Sequence, residues 1–256
     1  MTSRAEYLAG HKEAARFGGR VWRVACLTLT GLIVLYGIAL FAQVLAYGER
    51  TGYTGGDAER FISSAARWAQ GGSFYFPAQL AGRYEVGGDV MLYPPLAIYL
   101  FLPFAVLPRI LWWIIPLGIV AVTLWRLRPA YWSWPIIAGI WCLVPTQAGI
   151  MSGNANLWMT AAVAVAVWFG PASVVLLMKP TLFPIALLFA RDRRWWIGLV
   201  VVVFFAIPFE GLWVHYVTIT RNLDAPFWYS FDVYPMLLTP VIARWARTTS
   251  APPDRA

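Results

Sequence analysis

Between Val24 and Tyr47 the chain carries no charged residue. An apolar run of this length is suited to a bilayer, whose hydrocarbon core of ~30 Å is crossed by about 20 helical residues. It is too long for a signal-peptide core and no convincing cleavage site follows it, so it reads as a retained membrane-spanning helix. Arg4, Lys12, Arg16, Arg20 and Arg23 precede it. Basic flanks stay on the cytoplasmic side, which predicts a cytoplasmic N-terminus and puts Tyr47 outside. The rest of the chain repeats the pattern. Charged residues make up 12% of the sequence, against about 25% in soluble domains, and the mean hydropathy is +0.62. The fold class expected is all-α: a polytopic transmembrane helix bundle of about eight spans, in the cell membrane, forming one domain over residues 1–247 with a disordered polar tail at 248–256.

The further spans fall near Tyr93–Leu107, Ile110–Trp125, Trp132–Val144, Asn156–Phe169, Ala172–Ala190, Trp195–Pro208 and Val233–Trp245. Several are short for the hydrocarbon core, and prolines at 94, 95, 103, 116, 180 and 184 interrupt them. Broken helices are tolerated where neighbouring helices or a wet cavity satisfy the freed backbone groups, which hints at a cavity. Counting from a cytoplasmic N-terminus puts Arg191–Arg194 and the basic tail inside. The same count puts Arg126 and Arg128 outside, against the charge rule. If Tyr93–Leu107 is re-entrant, every later segment flips.

Two longer stretches are read as outer loops, 48–92 and 210–232. Within the first, Asp57–Gln70 reads as an amphipathic surface helix. Glu59, Arg60, Ser63, Arg67 and Gln70 share one side, while Phe61, Ile62, Ala65, Trp68 and Ala69 share the other. Such a helix suits lying on a membrane surface, and Gly71-Gly72 ends it.

The net charge of +8 is accounted for by cytoplasmic flanks. Nucleic-acid binding is not expected, because no long polar stretch exists to form a basic surface. Cys26 and Cys142 lie in apolar runs and read as packed thiols. With only His11 and His215, no histidine-based metal centre is expected.

Asp57 carries two readings: a cap on the surface helix, or a general base held at the membrane surface. Asp57-Ala58-Glu59 is a weak metal motif, since residues two apart do not share a helix face. Tyr93-Pro94-Pro95-Leu96 opens a span as an anchored helix entry. Asn154 and Asn156, in Gly153-Asn154-Ala155-Asn156, cap a helix or line a polar pocket. Lys179 lies inside the apolar run Val174–Phe189, where a charge costs about 3 kcal/mol and tends to mark function; snorkelling to an interface is the alternative. His215 joins Trp213, Tyr216, Trp228 and Tyr229 in the second loop, as an interfacial belt or a carbohydrate contact.

The ordered set Gly56-Asp57, Phe61, Ala65, Gly71-Gly72, Tyr75, Tyr93-Pro94-Pro95, Gly153-Asn154-Ala155-Asn156 and Lys179-Pro180 with Pro184 resembles the membrane glycosyltransferases of family 87, in the GT-C superfamily. The family's Gly-Gln-x-Asn stands here as Gly-Asn-Ala-Asn. The resemblance implies transfer of a mannose-like sugar from a polyprenyl-phosphate donor to a lipid or glycan acceptor at the extracytoplasmic face. It implies Asp57 as catalytic base, Lys179 on the donor phosphate, and Glu59, Tyr93, Asn154, Asn156 and His215 as substrate contacts. It fixes no cofactor and leaves a divalent cation open. Two rival readings are a non-catalytic relative and a lipid or small-molecule transporter, the latter without the repeated halves that such proteins carry.

Overall fold

A computed structural model describes residues 4–87, 90–225 and 235–249, with side chains over 19–87, 90–225 and 235–247. Among these residues every regular element is helical, apart from one isolated bridge between Tyr84 and Leu223. The elements are α1 (Arg4–Thr51), α2 (Gly56–Ala69), α3 (Pro77–Ala81), α4 (Ile98–Phe101), α5 (Leu111–Leu127), α6 (Trp134–Cys142), α7 (Val144–Ser152), α8 (Asn156–Ala166), α9 (Phe183–Leu187), α10 (Arg193–Ala206), α11 (Glu210–Asn222) and α12 (Leu238–Thr249). Tighter 3-10 turns join several of them.

Among the described residues, two stretches are long and apolar enough to cross a membrane: Gly19–Thr51 within α1, and Arg193–Asn222, where α10 runs on into α11. A third forms if α6 and α7, bent by 61°, are taken as one broken span. These helices keep broad apolar faces outward. Val200 and Phe204 of α10 are 68% and 67% exposed, a surface that water does not favour and lipid does. The stretch read as a second loop, 210–232, is helical over Glu210–Asn222.

Contacts sort the elements by direction. Gly55 N–H at the end of the α1–α2 turn donates to Met151 O (2.9 Å), so α1 and α7 finish side by side at the end that carries Asp57. Cys142 Sγ donates to Ile33 O (3.2 Å) and Gln147 Nε2 to Gly37 O (2.9 Å). Residue numbers rise together along both chains, so α6–α7 runs parallel to α1. A Cβ on Gly37 would collide with Cys142 Sγ, and one on Gly48 with Met151 Sδ. Small residues here let the two helices approach closely.

α5 starts at the Asp57 end, where Trp112 Nε1 donates to Gly153 O (2.8 Å) and Trp113 Nε1 to Ile150 O (2.7 Å). Its 17 residues carry the chain ~25 Å away, so Arg126 and Arg128 lie at the opposite end. α8 runs the same way beside it. α12 also finishes at the far end, with Trp245 against Trp132 (5.1 Å) and Arg247 over Trp168 (5.6 Å).

Two of the eight apolar segments return to the end they start from. The first is Tyr93–Leu107. Tyr93 O accepts from Tyr75 OH (3.1 Å), and after the segment Arg109 pairs with Glu59 on α2. Both ends therefore sit beside α2, and the 11 residues Pro95–Ala105 reach at most ~20 Å. The second is 170–192. Gly170 lies against Asp192, and Ser173 Oγ donates across to Ala186 O (3.3 Å). Lys179 is the tip of this hairpin, in extended conformation between the 3-10 turns Gly170–Met178 and Pro180–Leu182.

α2 occupies Gly56–Ala69, against the Asp57–Gln70 expected, with Glu59 and Ser63 exposed and Phe61, Ile62 and Ala65 buried. Its apolar face is not free for lipid. Phe61 packs at 5.0 Å on both Tyr93 and Phe101, and Trp68 packs on Phe209 (5.4 Å). The segment Tyr93–Leu107 covers the face that amphipathicity assigns to the membrane surface.

Gly153 tests this packing. It ends α7 at φ 73°, and an added Cβ would lie 2.7 Å from both Ala58 Cβ and the Trp113 ring. Gly52 has a similar φ of 68° with nothing within 4 Å. Gly153→Ala is expected to cost about 2–4 kcal/mol through strain plus overlap, and Gly52→Ala about 1 kcal/mol through strain alone. Thermal unfolding in detergent measures the difference; equal losses would contradict the close approach of α7, α2 and α5.

Candidate functional site

The site forms where the ends of α1, α2, α7 and α8 meet. Gly55, at φ 72°, turns the chain from α1 into α2. At the end of α7, Gly153 N–H donates to Ile150 O (3.1 Å) and Asn154 N–H to Gly149 O (2.8 Å). This double closure is a Schellman stop, which needs a left-handed residue at its centre and fixes the direction of the next side chain. Asn154 is thereby aimed at the start of α2.

Asp57 is the residue that these turns surround. It does not cap α2: Gly55 holds the cap position and no side chain caps the helix there. The Asp57 side chain is 7% exposed by residue and accepts from four donors. Ser152 Oγ (2.9 Å) and Asn154 Nδ2 (3.0 Å) donate to Oδ2. Tyr53 OH (3.1 Å) and Arg60 Nη1 (3.4 Å) donate to Oδ1. Four donors match the lone-pair capacity of a carboxylate, and this pairing offsets the cost of burying it.

The two oxygens are not equivalent. Oδ2 faces inward and takes the two shorter bonds, one from a buried serine. Oδ1 takes longer bonds from the more accessible Tyr53 and Arg60. Burial, and then the Asp57 charge and hydrogen bond, hold the Tyr53 hydroxyl above its ordinary pKa, so it donates to Oδ1 across the physiological range.

A line of amides runs from Asp57 into the protein. Asn154 Oδ1 accepts from Asn156 N–H (3.0 Å). Asn156 is fully buried, and its Oδ1 accepts from Lys179 Nζ (3.0 Å). The ammonium at the tip of one hairpin and the carboxylate at the start of α2 are thus joined through two asparagines. Asn156 Nδ2 is buried and has no hydrogen-bond partner among the described residues. A buried amide donor left unmade is costly, of order 1–3 kcal/mol.

The remaining candidates fall into place around this line or away from it. Tyr93 is buried, packed on Phe61 and Phe101, in the wall below α2. Glu59 points to the other side of α2, paired with the exposed Arg109. His215 is exposed on α11 and makes no contact with the Asp57 group. His11, Trp228 and Tyr229 lie outside the described side chains. Among the described residues no three His, Cys, Asp or Glu side chains gather where a metal would be held.

Tyr53, Arg60 and Ser152 belong to the site without being singled out by sequence. Spacing could have found the first two, since Tyr53 and Arg60 stand four before and three after Asp57, distances at which neighbours meet around a helical turn. Ser152 could be found only as the neighbour of the Gly153-Asn154 turn. Comparison of the chain with family models, curated proteins and solved structures returns no match.

Because Ser152 and Asn154 share one oxygen, their contributions should be coupled. Ser152→Ala and Asn154→Ala are each expected to cost about 1–3 kcal/mol, with the double variant departing from additivity by at least ~0.5 kcal/mol. Equilibrium unfolding of the four proteins measures this, and strict additivity would mean that the two side chains do not share Asp57.

Proposed function

We propose that the chain is a multi-pass membrane glycosyltransferase, moving a sugar from a polyprenyl-phosphate donor to a hydroxyl of a lipid or glycan acceptor at the extracytoplasmic face. The observation that carries the reading is the continuous line Asp57–Asn154–Asn156–Lys179. It brings an anchored carboxylate and a cation to one locality, as the resemblance to family 87 requires. A transporter has no need of a carboxylate clamped at the start of a helix.

In this mechanism Asp57 Oδ1 is the working oxygen, because its bonds are the longer and more accessible ones. An acceptor hydroxyl displaces Arg60 or Tyr53 from it and gives up its proton there. The acceptor oxygen bonds to the anomeric carbon as the bond from that carbon to the phosphate oxygen breaks. The electron pair leaves with the lipid phosphate, whose charge is stabilised by Lys179 and by the unpartnered Asn156 Nδ2. One displacement inverts the anomeric centre. Oδ2, held by Ser152 and Asn154, fixes the aim. The four satisfied bonds on Asp57 also suit a purely structural anchor in a non-catalytic relative, and activity separates the two.

The membrane arrangement belongs to the same proposal. Of the eight apolar segments, six cross and two are re-entrant, Tyr93–Leu107 from the Asp57 side and 170–192 from the other. On this path Arg20, Arg23, Arg126, Arg128, Arg191, Arg193, Arg194 and Arg247 all gather at one end. Re-entry of Tyr93–Leu107 brings Arg126 and Arg128 into agreement with the charge rule. That end is then cytoplasmic and the N-terminus with it.

Two tests follow. With labelled polyprenyl-phosphate sugars and lipid acceptors in native membranes, Asp57→Asn should reduce transfer at least ~10²-fold while the protein stays folded; Lys179→Met should weaken donor use, at a stability cost of no more than about 1–3 kcal/mol for the lost hydrogen bond to Asn156. Full activity in Asp57→Asn would leave only the anchor. For the topology, Arg83→Cys should react with an impermeant thiol reagent in intact cells, and Arg128→Cys only after permeabilisation. Both residues are exposed; the reverse pattern would invert the arrangement.

A further inference from the structure

A groove runs along α5 beside the end of α8 and the chain just after it, with Arg126 at the end of the molecule opposite Asp57. Its volume is about 570 Å³, and Ile115, Gly118, Val122, Val165 and Trp168 line it, with Arg126 at its mouth. From Ile114 to Arg126 the groove follows α5 for ~18 Å. That is close to the depth of one leaflet, about half of the ~30 Å hydrocarbon core.

The charge at the mouth has a consistent sign. Arg126 is exposed and enters no ion pair among the described residues. Arg247 lies over Trp168, whose ring forms the opposite wall. Arg128 follows two residues on from Arg126. Among the described side chains, the acid at this end is Asp192, whose carboxylate is engaged in capping α10. A slot of leaflet depth, apolar along its length and cationic at its mouth, complements an acyl chain bearing an anionic headgroup. The space over Gly118 is open: a Cβ built there meets nothing within 4 Å.

We infer that this groove is a binding site for one anionic phospholipid of the cytoplasmic leaflet, with an acyl chain against Gly118 and Val122 and its phosphate on the guanidinium of Arg126. Trp168 sits at the depth where aromatic residues mark the interface. The inference rests on the membrane placement proposed above but not on the transfer reaction. A protein that retains the lipid yet transfers no sugar would fail the reaction and keep this site.

The test uses the full chain, purified in detergent and equilibrated with equimolar phosphatidylglycerol and phosphatidylcholine, with retained lipid read by native mass spectrometry. The wild type should keep one phosphatidylglycerol in preference to phosphatidylcholine. Arg126→Gln should lower that retention roughly five- to tenfold, and Arg126→Lys should keep most of it. Gly118→Leu should remove the retained lipid of either kind by filling open space, with no fall in melting temperature. Equal retention of both lipids by the wild type would overturn the proposal. So would retention unchanged in Arg126→Gln and Gly118→Leu with both variants folded, or a polyprenyl phosphate that displaces phosphatidylglycerol from the slot.

Discussion

Asp57 Oδ2 accepts from Ser152 and Asn154, which lie 95 and 97 residues further along the chain. These two bonds tie the first long connection to the end of the bent α6–α7 pair. Around them the Schellman stop at Gly153, the left-handed turn at Gly55 and the indoles of Trp112 and Trp113 all converge. A carboxylate buried without those donors would be strongly destabilising. With them it becomes the fixed point against which α1, α2, α5, α7 and α8 are set. The same clamp leaves Oδ1 in the weaker bonds, so stability and availability are divided between two oxygens of one group.

The helical class and the first span are legible in the sequence, because charge-free runs have few alternatives. The path of the chain is less so. Tyr93–Leu107 and Ala172–Ala190 read as spans by hydropathy, which cannot show that a segment starts and finishes at the same end of the molecule. Prolines mark where the path changes: Pro103 and Pro180 fall in 3-10 turns, where the regular helices break. One trace of the answer is visible in the residues themselves. Arg126 and Arg128 conflict with the charge rule on a straight count, and on the proposed path they agree with it. The amphipathic pattern of α2 is readable too, but pattern alone cannot say whether protein or lipid covers the apolar face. Here the aromatic rings of Tyr93 and Phe101 do.

At the site, Asp57, Asn154, Asn156 and Lys179 are readable as unusual polar residues beside apolar runs, yet their connection is not. It depends on a turn geometry at Gly153 that places one asparagine toward α2, and on a hairpin tip that brings Lys179 to the other. Glu59, two residues after Asp57, faces away because successive helical residues diverge. His215 lies on an exposed stretch of α11, where local composition gives no guide to direction. Tyr53, Arg60 and Ser152 carry no signal of their own until Asp57 is placed.

The central claim is that Lys179 and Asn156 form one anion-binding end of a line whose other end is Asp57. Binding of a short-chain polyprenyl phosphate to the detergent-purified protein, followed by isothermal titration calorimetry, tests it most directly when wild type is compared with Asn156→Ala. The account predicts a binding loss of about tenfold or more in the variant, since both an amide donor and the hold on Lys179 are removed. Unchanged affinity in a folded Asn156→Ala protein would contradict it.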